Sequence, residues 1–298
     1  MASNRDKVII LVIVLAGLFM FGVVSLILLL AARPLPAEFP FTSLGGRVAL
    51  IEISGVIESS EDIVRQLKKY EEDNSIKALV IRIDSPGGGV APSQEIYDRL
   101  LKFREKDKYI VASMGGVAAS GGYYIACAAD TIFANPGTIT GSIGAIFSYL
   151  VFENLMDKAG VKMEVVKSGD FKDVGSPARR MDPRERAMLQ SVIDDTYDQF
   201  VNVVSERRGL DLDFVKSLAN GSIFTGRQAR EKDLIDKLGT LDDAISLAGD
   251  MAGLGQKPRV VKERPFKRNI FDQLVGLLGL DNFKSQIRLW PTLEYRYN

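Results

Sequence analysis

The stretch Ala118-Ala119-Ser120-Gly121-Gly122-Tyr123-Tyr124-Ile125-Ala126 organises the reading of the whole chain. The preceding run, Tyr109 to Met114, is short and apolar, as a buried strand is. The residues after Gly122, Tyr-Tyr-Ile-Ala-Cys-Ala-Ala, read as a helix. A serine at such a strand-to-helix turn has two readings. It is a preferred helix N-cap. It is also a good position for a nucleophile, because backbone N–H groups and a helix N-terminus favour developing negative charge. The local sequence leaves both open.

Outward from this point the pattern alternates. Val48–Ile53, Ala78–Ile83, Ile110–Met114, Asp130–Ala134 and Met163–Lys167 read as strands. Glu61–Glu72, Gln94–Lys106, Pro183–Arg208, Ala229–Leu234 and Leu241–Ala252 read as helices. Asp182 is the expected N-cap of the long helix and Gly209 its stop, while Thr240 caps the last helix. Short apolar strands separated by helices predict parallel βαβ units and an α/β fold. Arg259–Arg264 suggests one more strand. Phe271–Leu280 is apolar on most sides and reads either as a helix packed on a neighbour or as one lying on a membrane surface.

Val8–Ala32 is an uncharged apolar run of 25 residues. As a helix it would be about 37 Å long, enough to cross a hydrocarbon core of about 30 Å. A cleaved signal peptide has a shorter apolar core, about 7 to 15 residues, so the run is expected to be an uncleaved anchor. The expected organisation is an N-terminal tail (1–7), an anchor (8–32), a Pro-containing linker (33–46), a catalytic unit (47–255) and a C-terminal tail (256–298) in contact with another subunit or the membrane. The charge difference across the anchor mildly favours a cytoplasmic N-terminus.

The sequence has no histidine and one cysteine, Cys127. If Ser120 is a nucleophile, its base is therefore a lysine or a carboxylate, not imidazole. A thiol–imidazole pair is excluded, and so is an intrachain disulfide. Cys127 lies in an apolar run and reads as a buried structural thiol. The same shortage argues against zinc, and no Asp/Glu cluster has the spacing of a calcium loop, so no metal or cofactor is expected. A formal net charge of zero gives no sign of nucleic-acid binding.

Three further stretches carry chemistry. Asp84-Ser-Pro-Gly-Gly-Gly-Val90 leaves backbone N–H groups unshielded at a strand end, suited to an oxyanion or to a plain flexible turn. Thr138-Ile-Thr-Gly-Ser-Ile-Gly144 is a turn whose hydroxyls could orient a polar neighbour. Lys167-Ser-Gly-Asp-Phe-Lys-Asp-Val-Gly-Ser-Pro177 places Lys172 in a loop of small residues. Most such lysines are merely solvated, but with histidine absent Lys172 is the best available base.

Taken together, Asp84-Ser-Pro-Gly-Gly-Gly, Ala119-Ser-Gly-Gly-Tyr-Tyr, Thr140-Gly-Ser-Ile-Gly and Ser168-Gly-Asp-Phe-Lys-Asp with Ser176-Pro resemble the signal peptide peptidase A family in its short bacterial form. The resemblance covers Arg47 to Gly249. It implies a crotonase/Clp-protease-like fold, a repeated ββα superhelix, behind an N-terminal transmembrane helix. It implies a serine endopeptidase with Ser120 as nucleophile and Lys172 as general base. Ser142 corresponds to the hydroxyl that orients the lysine, and the N–H groups of Gly88 and Gly121 to the oxyanion hole. It further implies a bacterial inner-membrane enzyme with its catalytic domain outside the cytoplasm. Its substrates would be leftover signal peptides, with small apolar residues at the cut. A ring-shaped homo-oligomer, an octamer by this resemblance, would pair dyad residues from neighbouring subunits. Rival readings are a related protease acting on membrane-protein partners, an acyl-CoA hydratase or isomerase of the same fold, and a catalytically silent membrane scaffold.

Overall fold

The computed structural model describes residues 20, 46–263 and 292–297. The chain separates into two compact units, Met1–Leu44 and Gly45–Asn298, and the second holds every candidate site residue. It opens with β1 (Arg47–Ser54), α1 (Glu61–Glu72) and β2 (Ile76–Ser85). Next come β3 (Gly87–Gly89), α2 (Val90–Arg104), β4 (Tyr109–Ala119) and α3 (Gly121–Ala126). β5 (Thr131–Ala134), β6 (Ile139–Gly141), β7 (Ile146–Ser148), α4 (Glu153–Lys158) and α5 (Pro183–Arg208) follow. The unit closes with α6 (Leu212–Leu218), β8 (Ile223–Thr225), α7 (Gly226–Glu231), β9 (Lys237–Leu238), α8 (Leu241–Met251), β10 (Val260–Lys262) and β11 (Thr292–Arg296).

The main sheet runs β10-β1-β2-β4-β5-β9 with parallel neighbours throughout. Both of its faces are covered, which explains why the strands read as continuous apolar runs rather than alternating ones. On one face Ile51, Ile81, Ile96 and Leu100 pack in the larger core. On the other, Val48, Leu50, Val80, Val111 and Phe133 meet Ala244 and Ala248 of α8. Each large side chain buried this way contributes about 1.5–3 kcal/mol. This mixed α/β architecture is the expected one.

β4 decides where the site lies. It pairs with β5 through Val111–Ser113 and with β6 through Val117–Ala119. The Asp84 carboxylate braces the intervening stretch, accepting from the Val117 N–H at 3.0 Å. A Cβ on Gly115 would come within 2.7 Å of Asp84 Cγ, so only glycine lets the two strands approach there. A second, small sheet runs β3-β11-β7, with β11 antiparallel to both neighbours.

Several boundaries differ from expectation. Helix α2 starts at Val90, ahead of the expected Gln94, because Pro92 sits in the first turn, where no backbone N–H is required. Helix α7 starts at Gly226 rather than Ala229, under a capping box formed by Thr225 and Gln228. Met163–Lys167 is not a strand. It has no regular structure and no strand partner, with Val161, Met163 and Val165 about half exposed (54%, 58% and 47%). No strand among the described residues lies beside it, and an unpaired strand does not sustain itself. The long helix α5 matches its expected span. Asp182 and Glu185 form a reciprocal capping box, and Gly209 closes the helix at φ 64°. The expected anchor Val8–Ala32 lies outside the described residues apart from Met20, and so does Phe271–Leu280. Among the described residues no helix is long and apolar enough to cross a membrane.

Candidate active site

Ser120 stands between β4 and α3 at φ 52° and ψ −117°. A residue with a β-carbon rarely adopts this backbone, at a cost of order 1–3 kcal/mol. The turn is over-determined: the Ser120 N–H donates to Gly141 O at 2.8 Å, and the Tyr124 N–H donates to Ser120 O at 2.8 Å. The side chain makes no capping hydrogen bond, so the hydroxyl does not serve the helix end. Ser120 is buried.

The glycine run is a strand rather than a loose turn. Gly87 O accepts from the Ile57 N–H at 2.9 Å, and the Gly89 N–H donates to Ile57 O at 2.8 Å. Alternation along an extended strand then turns the Gly88 N–H away from Ile57 and toward β11, where its register partner is Tyr295. The pairing continues with the Tyr297 N–H donating to Pro86 O at 2.7 Å. A Cβ on Gly87 would lie 2.1 Å from the Tyr295 carbonyl oxygen, and one on Gly121 would lie 3.1 Å from it. The carbonyl of Tyr295 therefore rests in a cradle that only glycine leaves open, next to Ser120. The Ser85 hydroxyl holds the turn into this cradle, accepting from the Gly87 N–H at 3.1 Å.

The Tyr295 side chain is fully buried. It stacks on Tyr124 at 5.3 Å, lies 4.7 Å from Phe200, and donates its hydroxyl proton to Thr196 O at 2.8 Å. Tyr97 closes the aromatic cluster against Tyr124. Beside the cradle, Thr140 of β6 donates its hydroxyl to Ala118 O at 2.7 Å, pinning the end of β4. Ser142 follows at φ 50°, its N–H donating to Ser222 O at 2.7 Å. It lines a cleft of about 400 Å³ with Gln190, Asp194, Tyr197, Asn220 and Arg296.

Lys172 is placed differently. It lies in an exposed turn, its N–H donating to Gly169 O at 3.1 Å. Among the described residues no hydrogen bond or ion pair joins its ammonium to Ser120, Ser142 or anything else. Lys167, by contrast, is engaged by Asp173 at 2.6 Å and by Asp170 O at 2.8 Å. The structure thus places Gly87 and Gly121 against the Tyr295 carbonyl and ties Ser120 to Gly141, the neighbour of Ser142, while Lys172 lies on a separate loop. Sequence reasoning missed Asp84, Ser85 and the whole of β11. The glycines after Asp84-Ser85-Pro86 drew attention to backbone N–H groups, and nothing local marked the acid as a brace. Cys127 is buried, and burial pushes its thiol up to about 12, in keeping with a structural role.

Comparison with known proteins gives the chain its family. The peptidase family S49 profile matches residues 102–255, and the Clp protease profile matches residues 47–138. A Synechocystis sp. protein named "Putative protease slr0021" is 48% identical over 219 residues, covering 72% of this chain and 78% of that one. An Enterococcus faecium protein named "Putative signal peptide peptidase SppA" is 41% identical over 185 residues, covering 62% of this chain and 54% of that one. "Protease 4" of Salmonella typhi is 34% identical over 221 residues, covering 71% of this chain and 36% of that one. Fold and similarity together define a serine peptidase built on a Clp-protease-like α/β core. Within that class the chain belongs to peptidase family S49, the signal peptide peptidase A family.

Proposed function

We propose that this protein is a Ser–Lys endopeptidase that cuts extended peptides at a membrane surface, with signal-peptide remnants as its substrate class. The observation that carries the reading is the seat of β11. An extended segment pairs with Gly87–Gly89 and presents the Tyr295 carbonyl to the cradle beside Ser120. A substrate strand bound the same way would present its scissile carbonyl there, held by main-chain pairing.

In this mechanism neutral Lys172 takes the proton from Ser120 Oγ, and the oxygen attacks the carbonyl. The N–H groups of Gly88 and Gly121 hold the tetrahedral oxyanion. Lys172 returns the proton to the leaving amine, and water then cleaves the acyl-enzyme. Lys172 is preferred over Lys167 because the latter is tied to Asp173 and Asp170. Ser142 orients the lysine. The aromatic cluster around Tyr295 suggests that the residue before the cut is large and aromatic, rather than the small one that family resemblance implied.

The separation of Lys172 from Ser120 favours a dyad completed between subunits of a homo-oligomeric ring. The exposed Val161, Met163 and Val165 would be covered by a second copy. The same reading takes Val8–Ala32 as an uncleaved anchor in a bacterial inner membrane, with the catalytic unit outside the cytoplasm. Labelling of the detergent-solubilised full chain with a fluorophosphonate probe tests it. Ser120 is expected to be the labelled residue; absence of label from an intact oligomer would favour a silent scaffold.

A further inference from the structure

The loop that carries Lys172 has no regular secondary structure, yet a base must be held to within a fraction of an ångström to act. The Phe152 N–H donates to Pro177 O at 2.6 Å, and Arg184 lies 3.6 Å from Asp170 and 6.0 Å from the Phe171 ring, but one side chain ties the residue beside Lys172 to a buried carboxylate. Arg179 donates from Nε to Asp173 Oδ2 at 3.0 Å and from Nη2 to Asp173 Oδ1 at 2.7 Å. The same guanidinium donates from Nη1 to Glu185 Oε2 at 2.8 Å, and from Nη2 to Glu185 Oε1. Asp173 is the residue next to Lys172. Glu185 belongs to the first turn of α5, where it also accepts from the Asp182 N–H at 2.8 Å. One planar fork therefore joins the loop to the capped end of a 26-residue helix.

We infer that Arg179 is a positioning residue for the general base, clamping the Lys172 loop onto the N-terminus of α5 through Asp173 and Glu185. The inference rests on Lys172 being that base. The Glu185 carboxylate is almost fully buried and the Asp173 carboxylate largely so, which distinguishes both from ordinary surface ion pairs. The other charges around the clamp are peripheral. Lys167 reinforces Asp173 from within the loop. Arg184 of α5 reaches Asp170 and Asp182 at 3.6 and 3.5 Å, and Arg180 reaches Glu153 of α4 at 3.6 Å, all on exposed side chains. None of these joins the loop to the buried carboxylate of α5. The Arg179 guanidinium holds both carboxyls below their ordinary range, Glu185 at about 2, so the clamp stays charged across the working pH of a lysine base.

The test uses the full chain in detergent, with a fluorogenic peptide and the fluorophosphonate probe. Arg179→Ala, Arg179→Lys, Asp173→Asn and Lys172→Ala are compared for kcat, KM, pH profile and oligomer size. Arg179→Ala is expected to lower kcat about 10- to 100-fold with KM changed less than about twofold, the pattern of a group that positions the base rather than binds substrate. Its alkaline limb should change together with kcat, since that limb reports the base the loop carries. Arg179→Lys, able to pair with one carboxylate but not to bridge two, should fall between wild type and Arg179→Ala. If Arg179→Ala keeps wild-type kcat and pH limb, the clamp serves stability alone and the inference is overturned, whatever happens to its melting temperature. Should that variant not assemble, wild-type kcat and limb in both Arg179→Lys and Asp173→Asn would overturn it instead. An active Lys172→Ala would sink the dyad itself, an outcome distinct from failure of the clamp.

Discussion

Ser120 combines a left-handed φ, near-complete burial and a side chain that does not cap the helix it precedes. Strain of this kind persists only where surrounding contacts enforce it, and here the Gly141 and Tyr124 backbone bonds do so. Ser120→Ala and Lys172→Ala are expected to abolish peptide hydrolysis while leaving the folded oligomer intact. Near-native turnover of Lys172→Ala, measured with purified protein, would remove the dyad. Ser142→Ala should be milder, because that hydroxyl orients the base and takes no proton. The nucleophile candidate was legible in the sequence because a serine before paired glycines at a strand end is a local pattern. The absence of histidine is what makes a lysine the expected base. The cradle was not legible: it depends on how Gly87, Gly121 and Tyr295 approach one another in space.

Two elements carry predictions of their own. β11 lies where the proposed substrate strand would bind, so the chain's own C-terminal segment competes for the site. Truncation before Thr292 is expected to raise the rate of fluorophosphonate labelling of Ser120; an unchanged or lower rate in a folded, assembled protein would argue that β11 is only structural. The N-terminus of α5 predicts an acid transition. Glu185 sits at about 2 in the folded chain against an ordinary 4.5. A depressed carboxyl contributes stability that is present above its unfolded pKa and lost as pH falls through the folded value. The Arg179 clamp should therefore hold at neutral pH and weaken between about pH 4.5 and about pH 2. Hydrogen exchange of the 168–176 loop along an acid series would show it. Protection that stays constant to pH 2 would contradict the assignment.

For the whole molecule, the proposed chemistry contains no group that titrates like imidazole. A free lysine titrates near about 10.4, and only its neutral form accepts a proton. The expected kcat/KM profile rises along a single alkaline-side limb, with no limb near about 6.5, where an imidazole titrates. A profile flat from about pH 5 to about pH 9, with the oligomer intact, would count against a lysine base. The anchor reading predicts that the protein stays in the membrane fraction with its N-terminus uncleaved. A mature N-terminus found after Ala32 would remove that reading, and removal of residues before Arg47 should leave a soluble, active enzyme.

By itself the sequence determined the elements whose signals are local. The apolar runs of β1, β2 and β4 fall where they were expected. So does the span of α5, because Asp182, Pro183, Glu185 and Gly209 mark its ends through bonds closed within a few residues. Tertiary structure alone decided what depends on distant partners. Gly87–Gly89 becomes a strand because Ile57 and β11 supply its pairing on two sides. Met163–Lys167 fails to become one because no described strand borders it. β11, Thr-Leu-Glu-Tyr-Arg, does alternate polar and apolar residues, but over five residues only, too short a run to say which edge would receive it. It is a strand because the exposed edges of β3 and β7 and the pocket around Tyr295 receive it. Helices and caps are stabilised by neighbours in sequence, whereas a strand exists only through backbone groups that another part of the chain provides.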